Sequence, residues 1–214
     1  MAVESLEKGP EHLNYLTYEA LVTPEILRRI ARAQQEGYHA VVVGCFNDTA
    51  VPEGREIATQ MAVVGPGEAS FLLASSLGRR WCVLVSEKKC IPRMTQNAIR
   101  YGFDTKFVRF RTAGIAVHDF QADPKHTEAV LFAEARDAID SERAEVVILG
   151  CTAQFGFYER LQRRLAVPVL DAAIVGLKQA EHLIELGITC GWHHSKALSF
   201  AGPSGEDFTV SELS

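Results

Sequence analysis

The sequence predicts an α/β fold of two pseudo-symmetric lobes, each a mainly parallel sheet flanked by helices. Three observations lead there. Apolar, β-branched runs bounded by turn residues alternate with segments of helical spacing. The order of these segments repeats between the two halves of the chain. In each half, one strand runs straight into a Gly-Cys pair, Gly44-Cys45 in VVVGCFNDTA and Gly150-Cys151 in VVILGCTAQF.

The strand candidates are AVVVG at 40–44, AVVG at 62–65, WCVLVS at 81–86, KFVRF at 106–110, EVVILG at 145–150 and VPVL at 167–170. TPEILRRIARAQQEG reads as a helix with Thr23 as N-cap, Pro24 at the first helical position, and Ile26, Leu27, Ile30 and Ala33 on one face. Further helices are expected around Glu56, over IPRMTQNAIRYG, from about His126, and around Glu159. Gly65-Pro66-Gly67-Glu68 is too short for a dinucleotide or phosphate loop and reads as a turn into a helix. Asp171 reads as a helix cap rather than a catalytic acid.

The first half runs helix, strand to Cys45, helix with Glu56, then MAVVGPGEA. The second runs helix, strand to Cys151, helix with Glu159, then LAVPVLDAA. Cys45 and Cys151 therefore occupy equivalent positions, and ligands of parallel sheets bind outside the carboxyl ends of the strands. We place the first lobe at 1–79, with 190–214 packing back on it, and the second at 80–189. Before its helix the second copy has WCVLVS, a helix and KFVRF, whereas the first has only AVESLEK to match KFVRF. We expect the missing opening strand and helix of the first lobe to lie outside this sequence.

Among 214 residues, 23% charged and 47% hydrophobic are ordinary globular values, enough for one large domain or two small ones. A net charge of -5 argues against nucleic acid or an anionic membrane as partner, and the Arg79-Arg80 and Lys88-Lys89 pairs are too short to change that. No apolar run approaches the roughly 20 residues a membrane span needs, and acids stand where a signal peptide would carry its apolar core. Five cysteines without a CxxC pair point to reduced thiols and a cytoplasmic location. His182, His193 and His194 match no compact metal motif, so no metal is expected.

For Cys45 and Cys151 the shared context points to chemistry. A following helix N-terminus and nearby backbone N–H groups stabilise a thiolate, which is expected to bring the pKa down toward neutrality. Two such thiols facing one carbon can remove a proton from one face and supply one to the other. Asn47, Asp48 and Thr49 in one copy, and Thr152 and Gln154 in the other, suit binding of substrate carbonyl and amide groups, with helix capping and turn formation as the alternative. Ser86, ending WCVLVS, is expected to point into the cleft between the thiols. Cys82 reads as core, Cys90 and Cys190 as spectators. A cysteine hydrolase with one thiol, a histidine and an acid is the rival chemistry.

Together, GPEHLNYLTYEALVTPEILRRIARA, CFNDTAVPEGREIA, VVGPGEAS, the strand with Ser86, AEVVILGCTAQF, VPVLDAAIVGLKQAE and Ser195-Lys196 resemble the aspartate/glutamate racemase superfamily, and within it the hydantoin and allantoin racemases. The resemblance implies an active site in the cleft between the two lobes, two catalytic cysteines, Cys45 and Cys151, no cofactor, a small-molecule substrate and a homo-oligomer. CFNDT, with Phe46 beside the first cysteine as a further substrate-binding candidate, is closer to the CFxD pattern of the hydantoin group than to the CNT of the amino-acid racemases. That favours a 5-substituted hydantoin or related ureide. An Asp/Glu-type racemase, a related isomerase or decarboxylase, and a non-catalytic relative are the alternatives. The chain lacks the family's Asn-Pro-Asn-Thr segment, and GCTAQF stands where hydantoin racemases more often have GCAGM.

Overall fold

The computed structural model describes residues 1–103 and 108–203, and each of the six expected runs contributes a strand. These are β1 (Ala40–Val42), β2 (Ala62–Val64), β3 (Trp81–Val85), β4 (Val108–Thr112), β5 (Val146–Leu149) and β6 (Val169–Asp171). Lys106 and Phe107 of the KFVRF run lie outside the described residues. The helices are α1 (Leu16–Gln35), α2 (Val51–Ile57), α3 (Pro66–Leu77), α4 (Ile91–Arg100), α5 (Pro124–Glu142), α6 (Tyr158–Leu165) and α7 (Ala172–Cys190). All described strand pairs are parallel: β1-β2 form one sheet and β4-β3-β5-β6 the other.

β3 and β5 are buried on both faces, which is why they read as unbroken apolar runs. Their side chains alternate between two cores. Trp81, Val83, Val85, Val146 and Ile148 join Phe46, Phe71, Ala74 and Val175 on the side of the first lobe. Cys82, Leu84, Val147 and Leu149 meet Leu131, Ala135 and Leu161 of α5 and α6 on the other. A third core, of Ile30, Val43, Val51, Met61 and Val63, takes up Ile26, Leu27 and Ala33, the predicted face of α1. Helix α7 packs on α3, its counterpart in the repeat, and on β1 and β2.

Two boundaries differ from expectation. Helix α1 begins at Leu16, so Pro24 lies inside it, and Thr23 is no N-cap: its hydroxyl donates back to the Glu19 carbonyl at 2.8 Å. The helix tolerates Pro24 because the carbonyl left without an N–H belongs to Ala20, which is exposed to solvent. AVESLEK forms no strand. Its Glu4 instead pairs with Arg29 (2.6 Å) and Arg32 on the flank of α1. Asp171 caps α7 as read from the sequence, its carboxylate accepting from Ala173 N and Ile174 N, and the Asp123 carboxylate accepts from His126 N ahead of α5.

Candidate active site

The carboxyl ends of β1, β3 and β5 converge. Leu84 pairs with Leu149, and Gly150 N donates to the Leu84 carbonyl at 2.9 Å, so Ser86 and Cys151 leave neighbouring strands at the same level. β3 and β5 are the strands between which connections depart in opposite directions, which makes this the switch point of the second sheet. Gly150 is required there, because a Cβ would come within 2.6 Å of Val83 Cγ1. From the other lobe, the carbonyl of Gly44 accepts a hydrogen bond from the Thr152 hydroxyl at 3.0 Å. This bond ties the loop after Cys151 to the loop that carries Cys45.

Both thiols are half-buried and free. Burial pushes the Cys45 thiol up to about 12; a backbone N–H at Asn47 and the Thr49 hydroxyl, 3.9 Å from Sγ, work against it, while nearby Cys151 and Asp48 add to it. Burial likewise pushes Cys151 up to about 11, opposed by a backbone N–H at Ala153. This corrects the expected depression of both pKa values. α2 begins six residues after Cys45, and only a 3-10 turn, Thr152–Gln154, follows Cys151 at once, so one N–H per thiol stands against desolvation. At neutral pH both resting thiols are protonated.

The loop after Cys45 is tightly determined. Asp48 and Ala50 are held at φ 53° and 60°, a region non-glycine residues occupy only when their surroundings impose it. The buried Asp48 carboxylate accepts from Gly67 N (2.8 Å), Glu68 N (2.7 Å) and the Tyr101 hydroxyl (2.7 Å), capping α3 from a distance. Glycines 65 and 67 make room for it, since a Cβ at either would lie within 3 Å of its carboxylate. Phe46 packs edge-on against Phe71 in the core at 5.8 Å. Asp48 thus makes the capping contacts that the sequence offered beside substrate binding, and Phe46 packs into the core.

Asn47 is held from both lobes: its Nδ2 donates to the Leu13 carbonyl (2.9 Å) and Glu19 (3.0 Å), and its own carbonyl accepts from Asn97 Nδ2 on α4 (2.7 Å). Glu19 pairs with Arg93 at 3.1 Å, yet burial still raises its carboxyl above the usual range. None of Glu19, Arg93, Asn97 and Tyr101 was singled out from sequence; they lie 50 or more residues from most of their partners in the chain, and nothing local marks them. Cys90 was read as a spectator because of its polar context. It is buried, and its Sγ lies 3.5 Å from Ser86 Oγ. The spacing of Ser86 and Cys90 around one turn was the available signal.

A groove of about 540 Å³ lies at the opposite end of the first sheet, among Tyr38, His39, Met61, Trp192 and His193. It contains none of the candidate residues. His194 accepts from Val63 N at 3.0 Å, and burial lowers its pKa to about 4. Lys196 donates to the carbonyls of Arg55, Glu56 and Phe200, so the segment after α7 is pinned to α2 and β2. Among the described residues, no three His, Cys, Asp or Glu side chains form a group able to hold a metal, and no helix is long and apolar enough to cross a membrane.

The chain is an α/β protein of two parallel sheets, each with one strand that runs into a Gly-Cys pair. The Asp/Glu/hydantoin racemase family matches residues 1–180, and the chain belongs to that family, whose racemases are isomerases. Hydantoin racemase from Pseudomonas sp. (strain NS671) is 31% identical over 183 residues, covering 86% of this chain and 73% of that protein. Hydantoin racemase from Rhizobium meliloti is 29% identical over 185 residues, covering 86% and 75%. The solved allantoin racemase from Klebsiella pneumoniae superposes with a TM-score of 0.87 at 21% identity, over 97% of this chain and 83% of that one, which shows the shared fold.

Proposed function

We propose that this protein is a cofactor-independent racemase or epimerase that inverts the carbon beside a carbonyl in a 5-substituted hydantoin or related ureide, with Cys45 and Cys151 as the proton-transfer groups. One observation supports the reading: the loops that carry the two Gly-Cys strand ends, equivalent in the two halves of the chain, are joined by the Thr152 hydroxyl, which donates to the Gly44 carbonyl at 3.0 Å. The hydantoin racemases among the relatives support the choice of ring over free amino acid. In the reaction one thiolate removes the proton from its face of the carbon, leaving an enolate. The opposite thiol delivers its proton to the other face, so the two sulfurs exchange roles and no net proton is consumed.

The remaining candidates hold these groups in place. Thr49 donates toward Cys45 Sγ and favours its thiolate. Thr152 fixes the two loops to each other, and Ser86 shares a contact with Cys90 beside Cys151. Because burial opposes either thiolate, hydrogen-bond donors of the bound substrate beside the sulfur are what favour the charged form. Among the described residues no histidine hydrogen-bonds either thiol, which weighs against the cysteine-hydrolase reading. Leu72, Leu73 and Leu77 stand exposed on α3 and support the homo-oligomer implied by the resemblance.

The test is polarimetry of an optically pure 5-substituted hydantoin with the purified protein. Decay of rotation to zero with the compound chemically intact is expected. Unchanged rotation across a panel of ureides and amino acids would leave a non-catalytic relative.

A further inference from the structure

Six buried side-chain atoms lack a hydrogen-bond partner among the described residues. Arg93 Nε and Arg111 Nε belong to residues whose other atoms are in ion pairs, and Glu142 Oε2 itself lies 3.7 Å from Arg109 Nε. The other three are amide atoms: Asn47 Oδ1, and both Nε2 and Oε1 of Gln154. Asn47 lies two residues past Cys45 and Gln154 three residues past Cys151, where its own N–H donates to the Cys151 carbonyl at 2.9 Å. Gln154 has no solvent-exposed surface and Asn47 is 5% exposed. A buried amide with both ends unpaired destabilises a fold, and an apolar side chain of similar size would serve the core better.

We propose that Gln154 and Asn47 are the specificity residues of this site, reading the ring amides of a cyclic ureide. The inference rests on the racemase reading above. A primary amide presents a donor and an acceptor side by side, and its two-point complement is a ring N–H next to a ring carbonyl. At Asn47 the Leu13 carbonyl and Glu19 fix which atom is nitrogen, so Oδ1 is left as a pure acceptor for a second N–H. A ring with two N–H groups and an intervening carbonyl satisfies all three atoms. A free amino acid lacks this edge: its carboxylate offers acceptors alone, and only its ammonium can donate to Gln154 Oε1 or Asn47 Oδ1, a poorer match of the kind that sites built on hydrogen bonds discriminate against.

The probe is unsubstituted hydantoin, which has no stereocentre, so calorimetry of the full chain reads binding without turnover. Gln154→Leu should weaken hydantoin binding roughly tenfold or more, one good hydrogen-bonded pair being worth at least that. The same variant should melt a few degrees higher than the parent, because the unpaired amide is gone. In the parent, 1,3-dimethylhydantoin should bind at least tenfold more weakly than hydantoin, and this gap should narrow in Gln154→Leu. A Gln154→Leu protein that binds hydantoin within twofold of the parent, or that melts lower, overturns the proposal while leaving the racemase reading intact if the parent still racemises. A parent that binds no ring compound overturns both.

Discussion

Replacing Asp48 by Asn isolates the one carboxylate on which the Cys45 loop is anchored. Burial, more than any other factor, lifts its pKa to about 6, against the Tyr101 hydroxyl and the Gly67 and Glu68 amides that favour the charged form. The ordinary value is 3.8. A folded-state pKa above the unfolded one means that the folded protein holds the proton longer. The stabilisation from this group is complete below about pH 4 and is lost as pH rises through about 6. A difference of about two units corresponds to about 3 kcal/mol, an order-of-magnitude figure. Asp48→Asn cannot titrate, so it keeps one acceptor oxygen but loses the slope. Urea unfolding of both proteins from pH 4 to 7.5 should show the parent losing stability relative to the variant across that window, by roughly that amount. A difference that stays flat from pH 4 to 7 would refute the account of a strained, buried charge at Asp48.

Two further outcomes follow from the site and the closing segment. With thiols near 11 and 12, racemisation should rise about tenfold per pH unit from 7 to 9, and iodoacetamide should label Cys45 and Cys151 with the same slope; a flat profile would indicate a thiol already ionised near neutrality. Lys196→Met should release the carbonyls of Arg55, Glu56 and Phe200 and lower stability by about 1–2 kcal/mol, with faster chymotrypsin cleavage between Trp192 and Phe200; unchanged cleavage would show that the segment is held by other contacts.

The parts of this fold that could be read from sequence are those whose cause is local. β3 and β5 are buried on both faces, so their runs are apolar without interruption, and the repeated Gly-Cys ending identified Cys45 and Cys151 as a pair. Asp171 and the Gly65–Gly67 turn carried their own capping and steric reasons. What could not be read depends on the other lobe or on depth. Pro24 looked like a helix start because Pro favours the first turn, whereas here the exposed Ala20 lets the helix run through it. The direction of the thiol pKa shifts turned on burial, which outweighs the single N–H offered to each sulfur. Asn97, Tyr101 and Glu19 reach the Cys45 loop only through the packing of α4 and α1, and Cys90 owes its place beside Cys151 to the turn after β3.

The central claim is that each thiol serves one face of the substrate carbon, and it is tested by Cys45→Ser and Cys151→Ser in deuterated water with each pure enantiomer of a 5-substituted hydantoin. Serine is far too weak an acid to replace a thiol, so both variants should lose racemisation. Each should retain exchange of the substrate proton for deuterium, if any, with only the enantiomer facing its remaining thiol, and the two preferences should be opposite. Cys82→Ser, altered only in the core, should turn over like the parent if it folds. Full racemase activity in either single-thiol variant would contradict the two-thiol mechanism, and loss in one alone would point to a single nucleophile.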